Sequence, residues 1–379
     1  MMKVLYIRHD WSSSNNFGGD ARSLLDLIKS VEGEVEPYVL FSEPSITDYA
    51  FVQRGIKCYL HPFSGIAKST HRRLHLLLHP WRTPWCRWLR YDFPCFWFVK
   101  RIIKEEGIDL VHTNSFDSTL GWALQHLLGV KHVWHIREYA DPIHFGTIPK
   151  GRKCLVRKID SADARIVSSN PCCAFWNFKK GNTWVIWDAI RSVNDCCYDR
   201  DKQPYILFCS NWLTGGKGAL KAVRSFGMSG LGKSGFRLRF VGNRQNSMYQ
   251  EIVSLANKYD CADLIDFLPY QANVAPQFRH ASAFLQPSVN EGLGRTLAEA
   301  MFYGCPVVAH ASGGTLDLVE HGKTGWLFNT EEECAELLRK VCTTNQESII
   351  LKAQEFAKAN LSIESYGPKV LAVYHAVLD

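Results

Sequence analysis

Two glutamates, Glu291 and Glu299, bracket the stretch Gln286-Pro-Ser-Val-Asn-Glu-Gly-Leu-Gly-Arg-Thr-Leu-Ala-Glu299, and residues of these types at this spacing can do recognisable chemistry. The pattern predicts a strand ending at Pro287, a glycine-containing loop and a helix beginning near Leu293. Gly292 and Gly294 let the backbone approach a ligand closely, and the first-turn amides of the new helix can hold phosphate. Were the spacing helical throughout, a rise of 1.5 Å per residue would set the carboxylates about 12 Å apart. That is too far for paired acid–base hydrolysis, where they stand roughly 5 to 9 Å apart. It suits a ligand with hydroxyls at both ends and a diphosphate in the middle, as in a nucleotide sugar.

Other candidates stand where predicted strands end. Cys209-Ser-Asn-Trp-Leu-Thr-Gly-Gly-Lys217-Gly218 follows a strand and opens a helix. A lysine among glycines there is a plausible diphosphate clamp, since its charge stabilises a departing leaving group. Near the N-terminus, Asn15-Asn-Phe-Gly18-Gly19-Asp20 joins the first strand to the first helix, and tandem glycines could approach a diphosphate or an acceptor. His112-Thr-Asn-Ser115 and His135-Ile-Arg137-Glu138 end two further strands. Arg137 and Glu138 read equally as an ion pair and as ligand contacts. One D-x-D, Asp199-Arg-Asp201, falls in a polar stretch and reads as solvated linker, so no metal is expected.

These residues need a scaffold. The 379 residues are 46% hydrophobic and 21% charged, which fits two folded domains and argues against disorder. The opening Met-Met-Lys-Val-Leu-Tyr-Ile reads as a strand and lacks a secretory leader, and no apolar run approaches the roughly 18 residues of a spanning helix. Thirteen cysteines without any C-x-x-C read as free thiols in a reducing compartment, so a cytoplasmic location is expected. Short apolar runs alternate with helical patterns. Strands are predicted at 3–8, 36–41, 56–60, 109–113, 131–136, 164–168, 205–209, 237–241, 263–267, 283–286 and 305–308. Helices are predicted near 20–30, 117–128, 217–227, 247–258, 293–303, 331–343 and 361–378. This is the pattern of parallel sheets covered by helices, broken at the turn-rich stretch 190–204. Two such α/β units collect ligands beyond the carboxyl ends of their strands, and facing units would make a cleft.

The formal charge of +7 is unevenly spread. Residues 66–104 carry nine Lys or Arg against one acid, Asp92, interleaved with Trp81, Trp85, Trp88, Phe93, Trp97 and other aromatics. Basic residues with interfacial aromatics suit an anionic membrane surface. A solvated basic face over core aromatics is the alternative. No nucleic-acid motif accompanies the patch, and no nucleic acid is expected as a partner.

Pro287-Ser288, Glu291-Gly292-x-Gly294, Glu299-Ala300-Met301, Gly304-x-Pro306-Val307-Val308, Gly313-Gly314 and Gly322-x-Thr324-Gly325 together resemble the C-terminal signature of retaining glycosyltransferase family 4, glycosyl transferases group 1. The resemblance implies a GT-B fold, with two doubly wound Rossmann-like domains facing each other across a cleft. Residues 1–190 would bind the acceptor and 191–360 the donor, with 361–379 a helix packing back on the first domain. It implies a hexose moved from a nucleoside-diphosphate sugar to a glycan or lipid-linked saccharide, in surface-polysaccharide assembly, with retention and without metal or other cofactor. The second glutamate of the family binds ribose hydroxyls and the first binds the donor hexose, roles carried to Glu299 and Glu291. Lys217, Glu291 and His135 are the catalytic candidates. Gly18, Gly19, Asn211, Lys217, Gly218, Glu291, Gly292, Leu293, Gly294, Arg295 and Glu299 are the donor-binding candidates. His135 matches a family histidine that touches the donor sugar. Asn211 departs from the family's arginine, leaving Lys217 as the evident cation of its loop, with Arg295 a compensating charge. Two other readings stay open: a sugar-nucleotide epimerase or hydrolase on the same fold, and a non-catalytic sugar-nucleotide-binding scaffold.

Overall fold

The computed structural model describes residues 1–9, 18–44, 46–65, 88–140, 152–179 and 181–379. Asn15, Phe17 and the basic segment 66–87 therefore lie outside the described residues. The chain divides into two compact units, Met1–Ile186 with Gly367–Asp379, and Trp187–Tyr366. The division falls ahead of the turn-rich stretch 190–204. The turn-rich stretch itself lies inside the second unit, where Ile190 N donates to Leu361 O and Ile363 N to Arg191 O.

In the first unit the described elements run β1 (Met2–Arg8), α1 (Gly19–Ser30), β2 (Val35–Phe41), α2 (Ile46–Val52), β3 (Lys57–Leu60), α3 (Phe93–Glu106), β4 (Leu110–Thr113), α4 (Leu120–Leu128), β5 (Lys131–Ile136), α5 (Arg152–Asp160), β6 (Ala164–Val167), α6 (Asn170–Trp176) and β7 (Thr183–Val185). The strands pair in parallel in the order β3-β2-β1-β4-β5-β6-β7. Val4 to Ile7 and Leu110 to Thr113 are buried along their whole length, as strands covered on both faces must be.

The second unit runs β8 (Gln203–Leu213), α7 (Ala219–Ser229), β9 (Arg237–Arg244), α8 (Asn246–Lys258), β10 (Ile265–Leu268), α9 (Ala275–His280), β11 (Ala281–Gln286), α10 (Arg295–Phe302), β12 (Val307–His310), α11 (Thr315–Leu318), β13 (Trp326–Phe328), α12 (Glu331–Thr343) and α13 (Glu347–Leu361). Its parallel order is β10-β9-β8-β11-β12-β13. Both sheets therefore start in the middle, grow to one side, then reverse, β1 beside β4 in one and β8 beside β11 in the other. Two apolar layers sandwich the second sheet, one built on Leu297, Met301, Phe278 and Phe284, the other on Phe208, Phe226, Phe240 and Leu338.

The last helix, α14 (Ile363–Leu378), begins in the second unit and finishes in the first. Its Tyr374 hydroxyl reaches His112 Nδ1 at 2.8 Å and the Tyr6 hydroxyl at 3.3 Å, over strands β4 and β1. Among the described residues, no helix is long and apolar enough to cross a membrane.

Gly367 is where α14 meets α1: a Cβ there would lie 1.9 Å from the carbonyl oxygen of Ser30. On an open helix Gly→Ala gains roughly 0.5–1 kcal/mol of propensity. Here the obstacle is backbone, so the overpacking cost of about 1–3 kcal/mol wins. Gly367→Ala is expected to lower the thermal midpoint, and a rise would show that α14 slides freely on α1.

Candidate active site

The reversal of strand order in the second unit is the place to look, because two neighbouring strands there send their chains to opposite faces and leave a crevice at their carboxyl ends. β8 leads into Thr214–Lys217, a turn closed by hydrogen bonds from Lys217 N to Thr214 O (3.2 Å) and Oγ1 (3.3 Å). Gly218 follows in the left-handed region, φ +80°, and caps α7 without a side chain over the first amides. A Cβ on Gly218 would lie 2.8 Å from Pro287 O, so only glycine lets this turn lie against the end of β11.

On β11 the chain leaves at Pro287, and Asn290 (φ +58°) turns it. The loop that carries Glu291 rests on the turn after β12. Gly314 N donates to Glu291 O at 2.7 Å, and Ser312 Oγ accepts from Asn290 N at 3.2 Å. A Cβ on Gly313 would stand 2.6 Å from Glu291 O, and one on Gly314 2.4 Å from Gly292 O, so the Gly313-Gly314 pair is the seat that this loop requires. Leu293 is buried beneath it, and Gly294 (φ +96°) caps α10, again with no side chain over the first amides. Helix begins at Arg295, two residues later than the sequence pattern suggests, so a purely helical spacing from Glu291 to Glu299 does not hold.

Two ion pairs result. Lys217 Nζ lies 2.7 Å from Glu291 Oε1, with the carboxylate largely shielded and the ammonium about a third exposed. Glu299 sits in the first turns of α10, only 5% exposed between Leu297, Ala298, Ala300 and Met301. Its Oε1 accepts from Arg191 Nη2 at 2.6 Å, and Arg191 Nε donates to the Tyr303 hydroxyl at 2.9 Å. Sequence reading missed Arg191, which lies in a polar stretch with no local pattern to mark it. Arg295 turns its Nη1 to Ala189 O at 2.9 Å.

Asn211 falls where the β8–β9 register shifts, between Cys209 and Trp212. Its Oδ1 is buried and accepts no hydrogen bond, while its carbonyl accepts from Asn243 Nδ2 at 3.1 Å. Beside it a cavity of about 470 Å³ is lined by Gly242, Asn243, Arg244, Asn246, Tyr249 and Pro269. The Arg244 guanidinium stacks over Tyr249 and Phe267 at 5.1 and 4.8 Å. This cavity was not legible in the sequence.

In the first unit Gly18 caps α1 and Gly19 is exposed at its start. Asp20, in that first turn, pairs with Arg8 at 2.9 Å. His135 is fully buried on β5, its ring 5.3 Å from that of His112. Burial, reinforced by the charge of Arg137, pushes its pKa well below the usual imidazole value, so the ring is neutral. Arg137 donates through Nη1 to Asn114 Oδ1, and the Glu138 carboxylate accepts from Arg137 N at 3.3 Å. His9 and Asp117, which carried no sequence signal, form a buried pair at 2.9 Å beyond β1 and β4. Asp199 lies 3.6 Å from His280 and accepts from Asp201 N.

Residues 198–359 match the family model of glycosyl transferases group 1. An uncharacterized glycosyltransferase of Haemophilus influenzae is 30% identical over 147 residues, 38% of this chain and 40% of the relative. A glycogen synthase of Xanthomonas campestris is 31% identical over 108 residues, 28% of this chain and 22% of that one. The chain thus spans two fifths or less of the lengths of these curated relatives. Among solved structures, HepE of Anabaena in complex with UDP-glucose superposes with a TM-score of 0.79 at 18% identity, over 99% of this chain and 100% of that one. Two parallel sheets of this order, with such neighbours, define a two-domain GT-B fold. Within it, the segment 198–359 that matches the glycosyl transferases group 1 model carries Lys217, Glu291 and Glu299.

The buried histidines predict a pH dependence. His132, hydrogen-bonded to Thr113 Oγ1, is likewise depressed by burial, to about 3. In the unfolded chain both rings take up protons near pH 6.5, whereas the native protein binds none there. Stability is therefore complete above that value and falls as the pH drops below it, by up to about 1.4 kcal/mol per pH unit per ring. His135→Gln should flatten the fall in stability between pH 6.5 and 5 in urea unfolding, by less than the limiting slope of about 1.4 kcal/mol per pH unit. An unchanged slope would contradict a neutral His135.

Proposed function

We propose that the protein is a retaining, metal-independent glycosyltransferase that moves a hexose from a nucleoside-diphosphate sugar to a hydroxyl of a glycan or lipid-linked saccharide. The observation that carries this reading is the Lys217–Glu291 pair, set where the strand order reverses and beside two helix starts that no side chain caps. Uncovered first-turn amides and a lysine form a diphosphate site. Before the donor arrives, Lys217 and Glu291 neutralise each other. A diphosphate competes for the ammonium, and Glu291 then accepts hydrogen bonds from hexose hydroxyls. Glu299 takes the ribose hydroxyls, and the cavity beside Asn243 and Arg244 has room for the base. The bond from the anomeric carbon to the diphosphate oxygen breaks as the bond to the acceptor oxygen forms on the same face. The acceptor proton passes to the departing diphosphate, whose charge Lys217 and the α7 and α10 amides stabilise. The similarity to a UDP-glucose complex supports such a donor, and the similarity to a glycogen synthase supports a polysaccharide product.

A scaffold reading draws on Asn211, which supplies no cation and keeps its Oδ1 buried. Thermal unfolding with UDP-, GDP- and dTDP-sugars in excess chelator separates binding from its absence. A ligand at 100 times its dissociation constant adds about 2.7 kcal/mol to the native state. One nucleotide class is expected to stabilise. Lys217→Ala should then lower transfer about 10²- to 10³-fold, the scale of losing one preorganised electrostatic contact, while the ligand-free protein changes by no more than about 1 kcal/mol. Turnover that survives the substitution removes the clamp from the mechanism, and binding without transfer to any acceptor favours the scaffold.

Helix α3 supports a membrane-facing acceptor. It buries Cys95, Val99 and Ile102 and exposes Phe93 and Trp97 beside Lys100, Arg101 and Lys104, with Trp88, Leu89 and Arg90 exposed just before it. Such a face suits an anionic cytoplasmic leaflet, each basic residue adding about 1 kcal/mol. Co-sedimentation with anionic vesicles at low salt, reversed at high salt, is expected. Protein that stays in the supernatant at low salt removes the membrane from the proposal.

A further inference from the structure

Glu299 is a buried carboxylate among the apolar residues of α10, and such a charge is costly to bury unless it is paired. Its partner comes from outside its own helix. Arg191 reaches it from the segment that follows the division between the units, and backbone hydrogen bonds fix the path of that segment. Ile190 N donates to Leu361 O (2.9 Å), Ile363 N to Arg191 O (3.0 Å), and Val193 N to Glu364 Oε2 (3.2 Å), so residues 190–193 run parallel to 361–364. Arg191 Nη1 returns to the carbonyl of Ile190 at 2.9 Å and Nε goes to the Tyr303 hydroxyl at 2.9 Å, leaving Nη2 aimed at Glu299 Oε1. The fork is held at two points besides the carboxylate, and Tyr303 belongs to the same turn of chain that ends α10.

We infer that Arg191 is a positioning residue for nucleotide selection: it holds the Glu299 carboxylate in the orientation that accepts the ribose hydroxyls of the donor. The inference rests on the reading of Glu299 as the ribose contact. A sugar hydroxyl donates, and so needs an acceptor oxygen turned towards it. A guanidinium fork fixes that orientation, which an ammonium on a flexible stem does not. Selectivity for ribose over an analogue lacking its hydroxyls should therefore depend on a residue that touches neither the sugar nor the phosphates.

Binding of UDP and of 2′,3′-dideoxy-UDP to the full chain, by calorimetry, is the test. The wild type should prefer UDP by about tenfold or more, the scale of a hydrogen bond to a charged group. Arg191→Gln should bring that ratio close to one by weakening UDP alone, with the dideoxy affinity unchanged. Arg191→Lys, which keeps the charge near Glu299 and so guards against loss of the fold, should fall between the two. A wild-type ratio in either folded variant overturns the inference, as does an equal loss for both ligands, which marks a merely structural arginine. A wild type that binds UDP without ribose preference removes the role of Glu299 and this inference with it. A wild type that binds neither ligand tells against the donor site as a whole.

Discussion

A buried charge has to be answered, and in the second unit Glu299 is that charge. Helix α10 presents Leu297, Ala298, Ala300, Met301 and Phe302 to the core, and a carboxylate in their midst is costly to bury without a partner. Arg191 answers it, and because Arg191 is no neighbour in sequence, the answer dictates the path of the chain. The segment from Ile190 to Val193 must pass beside α10, and it does so by pairing with residues 361–364 at the joint between α13 and α14. One electrostatic requirement thus ties together the entry of the second unit, its helix over the reversal, and its exit.

The loop of Glu291 is governed by a different constraint, that of close approach. Glycines at 218, 313 and 314 are not there to loosen the chain, since each faces a backbone carbonyl at a distance that a Cβ would violate. They bring the turn after β8, the loop after β11 and the turn after β12 into one layer at the carboxyl ends of adjacent strands. Lys217 and Glu291 meet because that layer is thin. Three connections that are distant in sequence thereby become a single surface, on which two helices begin without a capping side chain.

How much of this was legible in advance follows from the same physics. Parallel strands buried on both faces leave apolar runs, so β1, β2, β5, β6 and β11 stood out within a residue or two. The short edge strands β7 and β13 did not, because three residues such as Thr183–Val185, with Trp184 and Val185 exposed, carry no period to read. Helix α13 was missed between two polar turns, and α10 began later than expected because Gly294 takes a left-handed conformation that delays the first helical residue. Lys217, Gly218, Glu291 and Glu299 were visible because local sequence builds their loops. Arg191, Asn243 and Arg244 were not, since what brings them to the site is strand order and the pairing of 190–193 with 361–364.

The last helix carries a consequence for how the molecule is made. Residues 367–379 belong to the first unit, where Tyr374 caps the His112 and Tyr6 pair and Gly367 fits against Ser30. A chain emerging from the ribosome yields the N-terminal end of a protein first, and domains tend to fold as they appear. Here the order is inverted at the finish: every residue of the second unit has been made before the first unit receives its final piece. The sheet of the first unit therefore waits, with two buried rings still lacking their hydroxyl partner, until the whole of the second unit has been made.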